Sequence, residues 1–301
     1  MISTPKLPPP CGPGDRVGVA ALSGPVDPEK LEAGVESLRR LGFEPVLADN
    51  ALSRRSYLAG ADEERLAAFH RLIADPDIRA VFFTRGGYGV PRILPGIDWD
   101  LVGRHPRAYV GYSDLTPFLT GIVERLGLVS FHGPLVGGEL ARGLEPEEEA
   151  SLMGALAGRY PATSVELPFQ GWLREGTCEG PLLGGCLSLL SAMAGTPWFP
   201  DLRGAVVFWE EINEAPYRID RMLTHLRLSD NLAGIAGMIV GHVVDKGDAS
   251  VWPALVDENL SGYSWPLAWG LPAGHVPQNW TLPMGLSARL EAGSLRMVIG
   301  L

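Results

Sequence analysis

The chain has 301 residues, of which 46% are hydrophobic and 20% charged, a composition typical of a globular protein and not of a disordered one. The 35 acidic residues outnumber the 25 Lys and Arg and give a net charge of -10, which disfavours nucleic acid and anionic membranes as partners. The sequence has no uninterrupted apolar stretch of about 18 residues, so no membrane span is predicted.

The three cysteines show no CxxC spacing and leave one over in any pairing, so neither a disulfide framework nor a zinc site is expected. Residues 1–14 are rich in proline and lack a basic stretch followed by an apolar run, so no secretory signal is predicted. These features favour a reducing, cytoplasmic location.

The first half of the chain alternates β-like runs with helical patterns. Strands are predicted at 16–20, 43–48, 78–84 and 107–111, and helices at 28–41, 62–73 and 115–126. A repeated strand-then-helix order is typical of a parallel sheet covered by helices. Residues 1–139 are therefore expected to form an α/β domain.

An acidic, proline-containing stretch followed by residues without clear periodicity predicts an interdomain connection over 140–167. Beyond it, apolar runs at 204–209 and 237–244 are broken by Gly and Pro, and helices are expected at 183–194 and 216–228. Residues 168–301 are thus predicted to be a smaller α+β domain rich in short strands. Open α/β sheets place their sites at the carboxyl ends of strands, so the strand ends of the first domain are the first candidates.

Ser113 lies at the junction of a predicted strand and a predicted helix. A sharp turn there would lift the hydroxyl clear of the backbone, as in a nucleophile elbow, and point the next amide at a developing oxyanion. The usual G-x-S-x-G pattern is not met, because Leu115 occupies the second glycine position. The alternative is that Ser113 simply caps the helix.

A glycine-rich segment, residues 84–89 (Thr-Arg-Gly-Gly-Tyr-Gly), closes another predicted strand. Three glycines let the backbone approach a ligand closely. A phosphate cradle is one interpretation, weakened by the lack of either phosphate-binding fingerprint in the sequence. An oxyanion donor from Gly87 is a second, and a plain tight turn is a third.

Six histidines, at 70, 105, 132, 225, 242 and 275, are candidate bases. His275 lies in a loop of Gly and Pro that can expose its side chain to a cleft, whereas His70 and His225 lie on predicted helices. Glu210 follows a strand, so it could meet a histidine from another loop; Glu211 and Glu214 are close enough in sequence to compete. Spacing alone does not choose among them.

Taken in order, these segments resemble the LD-carboxypeptidase family, serine peptidases that also include the microcin C immunity hydrolases. The resemblance covers nearly the whole chain. Its motifs are residues 13–17 (Pro-Gly-Asp-Arg-Val), 57–60 (Tyr-Leu-Ala-Gly), 85–89 (Arg-Gly-Gly-Tyr-Gly), 110–114 (Val-Gly-Tyr-Ser-Asp), 132–134 (His-Gly-Pro), 210–221 and 274–275 (Gly-His).

The resemblance implies a catalytic triad of Ser113, Glu210 and His275. It also implies that the backbone amides of Gly87 and Asp114 hold the oxyanion. No metal or organic cofactor is expected in this scheme.

The same resemblance implies a flavodoxin-like N-terminal domain bearing the serine, a C-terminal domain bearing the other two groups, a cleft between them, and a homodimer. Arg85, Gly86 and Tyr88 are candidates for the substrate cleft. Where the family usually shows Gly-Gly-Asn, this chain has Cys186 after the two glycines. That departure affects local hydrogen bonding and substrate fit, not the triad.

The implied reaction is hydrolysis of the LD-peptide bond that releases terminal D-Ala from a muropeptide tetrapeptide in cell-wall recycling. One alternative keeps the triad and changes the substrate to a microcin C-like peptidyl- or aminoacyl-nucleotide. A second alternative, from another class, is an inactive binding protein or nucleotide-binding module on the same fold.

Overall fold

The computed structural model describes residues 5–159, 165–244 and 251–300. The chain divides into two compact units, one formed by residues 1–159 with 280–282 and the other by residues 160–279 with 283–301. The division after Arg159 falls within the predicted connection, 140–167, of which residues 160–164 lie outside the described residues.

Five of the six strands of the first sheet pair in parallel, in the order β5-β4-β3-β1-β2. They are β1 (Arg16–Ala20), β2 (Glu44–Leu47), β3 (Ile78–Phe83), β4 (Ala108–Gly111) and β5 (Ser130–His132). The first unit also holds α1 (Pro28–Arg40), α2 (Asp62–Ala74), α3 (Val90–Ile93), α4 (Trp99–Arg104), α5 (Thr116–Leu126) and α6 (Pro146–Leu156). The predicted parallel α/β fold is confirmed.

Helix α1 shows how the sequence sets these elements. The Asp27 carboxylate accepts hydrogen bonds from the amides of Glu29 and Lys30, at 3.0 and 3.3 Å, and so caps the helix. Buried Leu31, Val35 and Leu38 recur at helical spacing on its inner face.

Helix α6 lies inside the stretch predicted as a connection. The acidic run that suggested a linker is a helix start, with Pro146 in the first turn and a capping box in which Glu148 accepts from the amide of Glu145 at 2.8 Å. Glu148 is buried and pairs with Arg142 at 2.8 Å. Neither the capping box nor the ion pair between buried Glu148 and partly exposed Arg142 produces an apolar stripe, so hydrophobic periodicity did not reveal this helix.

The second unit is built on an eight-stranded mixed sheet. Its elements are β6 (Val165–Pro168), β7 (Gly171–Arg174), β8 (Cys178–Cys186), α7 (Leu187–Met193), β9 (Val206–Ile212), α8 (Pro216–Leu228), β10 (Gly237–Val244), α9 (Val251–Asn259) and β11 (Leu267–Trp269). Strand β12 (Leu282–Met284) is the edge strand of the first sheet, beside β5, and β13 (Ser287–Leu290) and β14 (Arg296–Ile299) follow.

The strand order of the second sheet is β6-β14-β13-β8-β9-β10-β11-β7. The pairings β8-β9, β9-β10 and β10-β11 are parallel, and the remaining pairings are antiparallel. Most strands are short, as predicted, but β8 has nine residues and β10 eight. The helix predicted at 183–194 starts too early, because Leu183 to Cys186 pair with β9 as the end of β8.

No helix in the described ranges has both the length and the apolar character needed to cross a membrane.

Candidate active site

Ser113 sits in a sharp turn, two residues after β4 ends at Gly111. Its φ is +62°, a left-handed conformation that non-glycine residues adopt rarely. A short 3-10 turn runs from Ser113 to Leu115, and α5 begins at Thr116. Tyr112 and Leu115, not Ser113, occupy the capping positions of the two helical segments. A strained serine between strand and helix is the geometry of a nucleophile elbow.

The residue before the elbow is held by a buried hydrogen bond. The Tyr112 hydroxyl donates to Oε1 of Glu139 at 2.7 Å, and Oε2 of the same carboxylate accepts from the amide of Leu135 at 3.0 Å. Tyr112 and Glu139 are 27 residues apart, so sequence spacing gave no signal for this contact. The bond fixes the backbone from which Ser113 projects.

The glycine segment predicted at 84–89 packs directly against the elbow. A β-carbon at Gly86 would lie 2.9 Å from both Cβ and Oγ of Ser113, closer than real β-carbons approach. Only glycine therefore fits beside the hydroxyl at this position. The carbonyl of Gly86 accepts from the amide of Gly24 at 3.1 Å, which fixes the segment from its other side.

Asp114 ties the same segment to the elbow with its side chain. Its buried carboxylate accepts from the amide of Val90 at 2.9 Å. Burial raises the pKa of this carboxyl, and hydrogen bonds from Val90, Ser23 and Gly89 oppose the rise. The turn and loop hydrogen bonds of the described residues include none donated by the amide of Gly87.

Glu210 and His275 meet within the second unit. Glu210, in β9, is fully buried, and its Oε2 lies 2.6 Å from Nδ1 of His275 and 3.2 Å from the His275 amide nitrogen. A carboxylate at Nδ1 fixes the tautomer that carries its proton there, which leaves Nε2 as the basic nitrogen. The pair has the geometry of a general base with its orienting acid.

The approach of His275 to Glu210 depends on the residue before it. Gly274 has a φ of +105°, and a β-carbon there would lie 2.5 Å from Cγ of Glu210 and 2.6 Å from Oε2. Its amide donates to Oδ1 of buried Asn279 at 2.9 Å. Gly274 and Asn279 thus shape the loop that brings the ring to the carboxylate.

The two competing acids have other partners. Glu211 accepts from the amides of Ser188 and Ile212, at 2.7 and 2.9 Å, and burial raises the pKa of its carboxyl. Successive residues of a strand point to opposite faces, which separates Glu211 from Glu210. Glu214 pairs with Arg218 at 3.2 Å. The geometry therefore favours Glu210 as the partner of His275.

Cys186 is paired in register with Glu210 but lies in a different environment. Its buried Sγ is 3.2 Å from Oγ of Ser188 and 3.6 Å from the nearer carboxylate oxygen of Glu211. Burial raises the pKa of this thiol well above its ordinary value. A protonated thiol is a poor nucleophile, so Cys186 fills space and contacts Glu211.

Other histidines have different surroundings. Nε2 of His70 accepts from the amide of Asp98 at 3.1 Å, and Nδ1 of His225 lies 3.2 Å from the hydroxyl of Ser191. Burial lowers the pKa of His70 and His242. Within the described residues, no group of three or more His, Cys, Asp or Glu is placed to hold a metal ion.

Known proteins similar to this chain carry related names. The probable murein peptide carboxypeptidase of Bacillus subtilis is 35% identical, with 95% of this chain and 92% of that protein covered. A crystal structure of muramoyltetrapeptide carboxypeptidase from Oxalobacter formigenes is 30% identical and superposes with a TM-score of 0.84, covering 94% of this chain and 97% of that one.

The microcin C7 self-immunity protein MccF of Escherichia coli is 27% identical, with 96% of this chain and 94% of that protein covered. Its wild-type apo structure superposes with a TM-score of 0.88 over 99% of both chains, at 25% identity. Two family models also match, the LD-carboxypeptidase N-terminal domain over residues 17–133 and the LD-carboxypeptidase C-terminal domain over residues 179–290. The chain belongs to the LD-carboxypeptidase family.

Proposed function

We propose that this protein is a serine carboxypeptidase that releases terminal D-Ala from a murein tetrapeptide by hydrolysing the LD-peptide bond. The observation that carries the proposal is the buried Glu210 carboxylate 2.6 Å from Nδ1 of His275, because a histidine oriented in this way is the general base of a serine hydrolase. The names of the B. subtilis and O. formigenes relatives support a murein peptide as the substrate.

In the proposed reaction, Ser113, Glu210 and His275 act as one triad. The Ser113 hydroxyl attacks the scissile carbonyl while Nε2 of His275 takes its proton. Glu210 holds the imidazole in the required tautomer and stabilises its charged form. The imidazolium then protonates the departing amine of D-Ala, and a water molecule activated by the same histidine hydrolyses the acyl-enzyme.

The negative charge that develops on the carbonyl oxygen needs fixed donors. We assign this role to the backbone amides of Gly87 and Asp114, which flank the contact between Gly86 and Ser113. The amide of Gly87 is not a donor in the turn and loop hydrogen bonds of the described residues, which supports its assignment. One such donor contributes about 10²- to 10³-fold to kcat.

The similarity to MccF favours one alternative substrate, a microcin C-like peptidyl- or aminoacyl-nucleotide. The same triad would cleave it, so the site geometry does not distinguish the two substrates. Which of the two substrates is cleaved depends on the residues that contact the leaving group. Identifying the reaction products distinguishes the two substrates.

The test is incubation of the purified chain with a murein tetrapeptide ending in D-Ala and, separately, with an aminoacyl sulfamoyl adenosine, with products identified by mass. We expect loss of D-Ala from the tetrapeptide and no loss from it with the Ser113→Ala variant. Cleavage of the nucleoside conjugate alone would contradict the murein assignment while keeping the hydrolase.

We further propose that the enzyme works in the cytoplasm as a homodimer. Three buried cysteines, none in a disulfide, support a reducing compartment. The dimer is implied by the family resemblance. Cell fractionation and light scattering of the purified chain test the two proposals.

A further inference from the structure

The first unit contains a pocket beside the nucleophile elbow, and two arginines line it. Its volume is about 540 Å³. Two arginines, Arg54 and Arg85, contribute to its lining together with Tyr57, Tyr88 and Gly87. Only Arg85 and Tyr88 among these side chains were expected near substrate from the sequence, because Arg54 and Tyr57 come from a loop about 30 residues earlier.

The pocket carries an uncompensated positive charge. None of the described residues that line it is an Asp or Glu. Among the described residues, the ion pairs of the first unit use other arginines, at positions 16, 39, 65, 71, 92 and 142. One nitrogen of Arg85 donates to the carbonyl of Pro25 at 3.1 Å, so most of the five N–H donors of a guanidinium remain for a ligand. In a chain of net charge -10, two such arginines in one pocket point to an anionic ligand.

The position of the pocket indicates which anionic group of the substrate it binds. Gly86, which touches Ser113, lies between Arg85 and Gly87 in the chain, and both neighbours line the pocket. In a carboxypeptidase substrate, the terminal carboxylate lies one residue beyond the scissile carbonyl, at most about 3.6 Å along the chain. A positive pocket that begins at the residues next to the elbow is at the right place for that carboxylate.

The loop that supplies Arg54 is held in a defined conformation. Ser56 has a φ of +57°, and Arg55 and Leu58 exchange backbone hydrogen bonds of 2.8 and 3.0 Å around it. The side chain of buried Asn50 links both ends of the loop to the residues after β1, because its Nδ2 donates to the carbonyls of Ala21 and Ala59 at 2.7 and 3.1 Å. Strain that the surroundings maintain is a common feature of binding loops.

The two tyrosines that line the pocket contact each other. Tyr57 and Tyr88 meet edge to face, with ring centroids 5.8 Å apart, although 58% and 49% of their surfaces are exposed. Their contact joins the loop of Arg54 to the segment of Arg85. The two arginines are thus carried by segments that pack against each other.

We propose that Arg54 and Arg85 bind the terminal carboxylate of the substrate and thereby make the enzyme an exopeptidase. This inference rests on the proposed function, because it takes D-Ala as the leaving group. The arginines determine which peptides are accepted, and they take no part in the proton transfers. Planar guanidinium groups suit a carboxylate because they offer paired N–H donors.

The test compares two substrates that differ only at the terminus, a murein tetrapeptide ending in free D-Ala and the same peptide ending in D-alaninamide. We expect the wild-type chain to prefer the free acid. In Arg54→Gln and Arg85→Gln, kcat/KM for the acid should fall about 10- to 100-fold, the usual worth of a hydrogen bond to a charged group, while kcat/KM for the amide stays unchanged. Arg85→Lys should recover part of the preference.

Arg55→Gln is the matched control, because it removes the same charge one residue away from Arg54 and Arg55 is not among the lining residues. Its acid-to-amide ratio should equal that of the wild-type chain. Equal losses on acid and amide in the Arg54 and Arg85 variants would overturn the proposal, and so would an unchanged ratio.

A binding measurement separates this inference from the proposed reaction. Calorimetry with Ser113→Ala needs no turnover, and we expect it to bind the acid more tightly than the amide, with the difference lost when Arg54→Gln and Arg85→Gln are added. If the wild-type chain cleaves neither peptide but this binding difference is present, the reaction is wrong and the carboxylate pocket stands. If D-Ala is released but the binding difference is absent, the reaction stands and the pocket assignment is wrong.

Discussion

The contact between Gly86 and Ser113 gives a sharp prediction for Gly86→Ala. The added methyl carbon would lie 2.9 Å from both Cβ and Oγ of Ser113, whereas carbon atoms in comfortable contact are about 3.5–4.0 Å apart. The two residues must separate by roughly 0.6–1 Å to restore that spacing. Rotation of the hydroxyl alone does not relieve the clash, since Cβ of Ser113 is attached to the backbone.

A misplacement of about 1 Å costs on the order of 10²-fold in rate. We therefore expect kcat/KM for the murein tetrapeptide to fall about 100-fold in Gly86→Ala, equivalent to about 2.7 kcal/mol. Overpacking of this size destabilises a fold by about 1–3 kcal/mol, so the variant should remain folded, and circular dichroism with thermal unfolding checks this.

Gly12→Ala is a matched control, because a β-carbon at Gly12 meets no heavy atom within 4 Å. Its activity should equal that of the wild-type chain. The rate of covalent labelling by a fluorophosphonate reports on Ser113 without a peptide substrate, and it should fall in Gly86→Ala as kcat/KM does. A folded Gly86→Ala variant with wild-type turnover and labelling would refute the reasoning.

Two further predictions concern the buried carboxylates and thiols. Glu210→Gln should lower kcat by up to about 10⁴-fold. Glu211→Gln should keep a larger share of activity, because the Glu211 carboxylate contacts backbone amides and not His275. A lower kcat for Glu211→Gln than for Glu210→Gln would exclude Glu210 as the orienting acid. Burial raises the pKa of Cys11 from 9.0 to about 12. Above about pH 9 the folded chain therefore keeps a thiol proton that the unfolded chain loses. The free energy of unfolding should decrease as pH rises above about 9, by up to about 1.4 kcal/mol per pH unit. Chemical denaturation at pH 8 to 10.5 should show a shallower decrease in Cys11→Ala, and equal slopes would contradict this.

Much of the fold could be predicted because local pattern and tertiary packing agree in the first unit. The amphipathic stripe of α1 and the buried runs of β1 and β3 appear in the sequence as periodicity. Helix α6 and the end of β8 could not be found in this way. Helix α6 depends on a capping box and on the ion pair that buried Glu148 forms with Arg142. The end of β8 depends on pairing with β9, which lies outside a local sequence window.

The candidate site likewise has features that a local sequence motif reveals and features that depend on contacts between distant residues. Ser113 at a strand end and the neighbouring glycines were visible as a motif, but the choice of His275 over five other histidines came from family resemblance. The contact of His275 with Glu210 joins residues 65 positions apart, and Tyr112 with Glu139 joins residues 27 apart. Such contacts depend on the folded chain. Only Arg85 of the pocket's two arginines could be predicted from the sequence, because Arg54 comes from a separate loop.

The central claim is that Ser113 and His275 act in one step, and a double-variant comparison tests it most directly. Turnover of a murein tetrapeptide ending in D-Ala would be measured for Ser113→Ala, His275→Ala and the variant with both changes. Because groups that act as a unit are strongly non-additive, we expect each single variant to lose nearly all turnover and the double variant to be scarcely slower than either. Full activity in His275→Ala, or losses that multiply in the double variant, would contradict the triad.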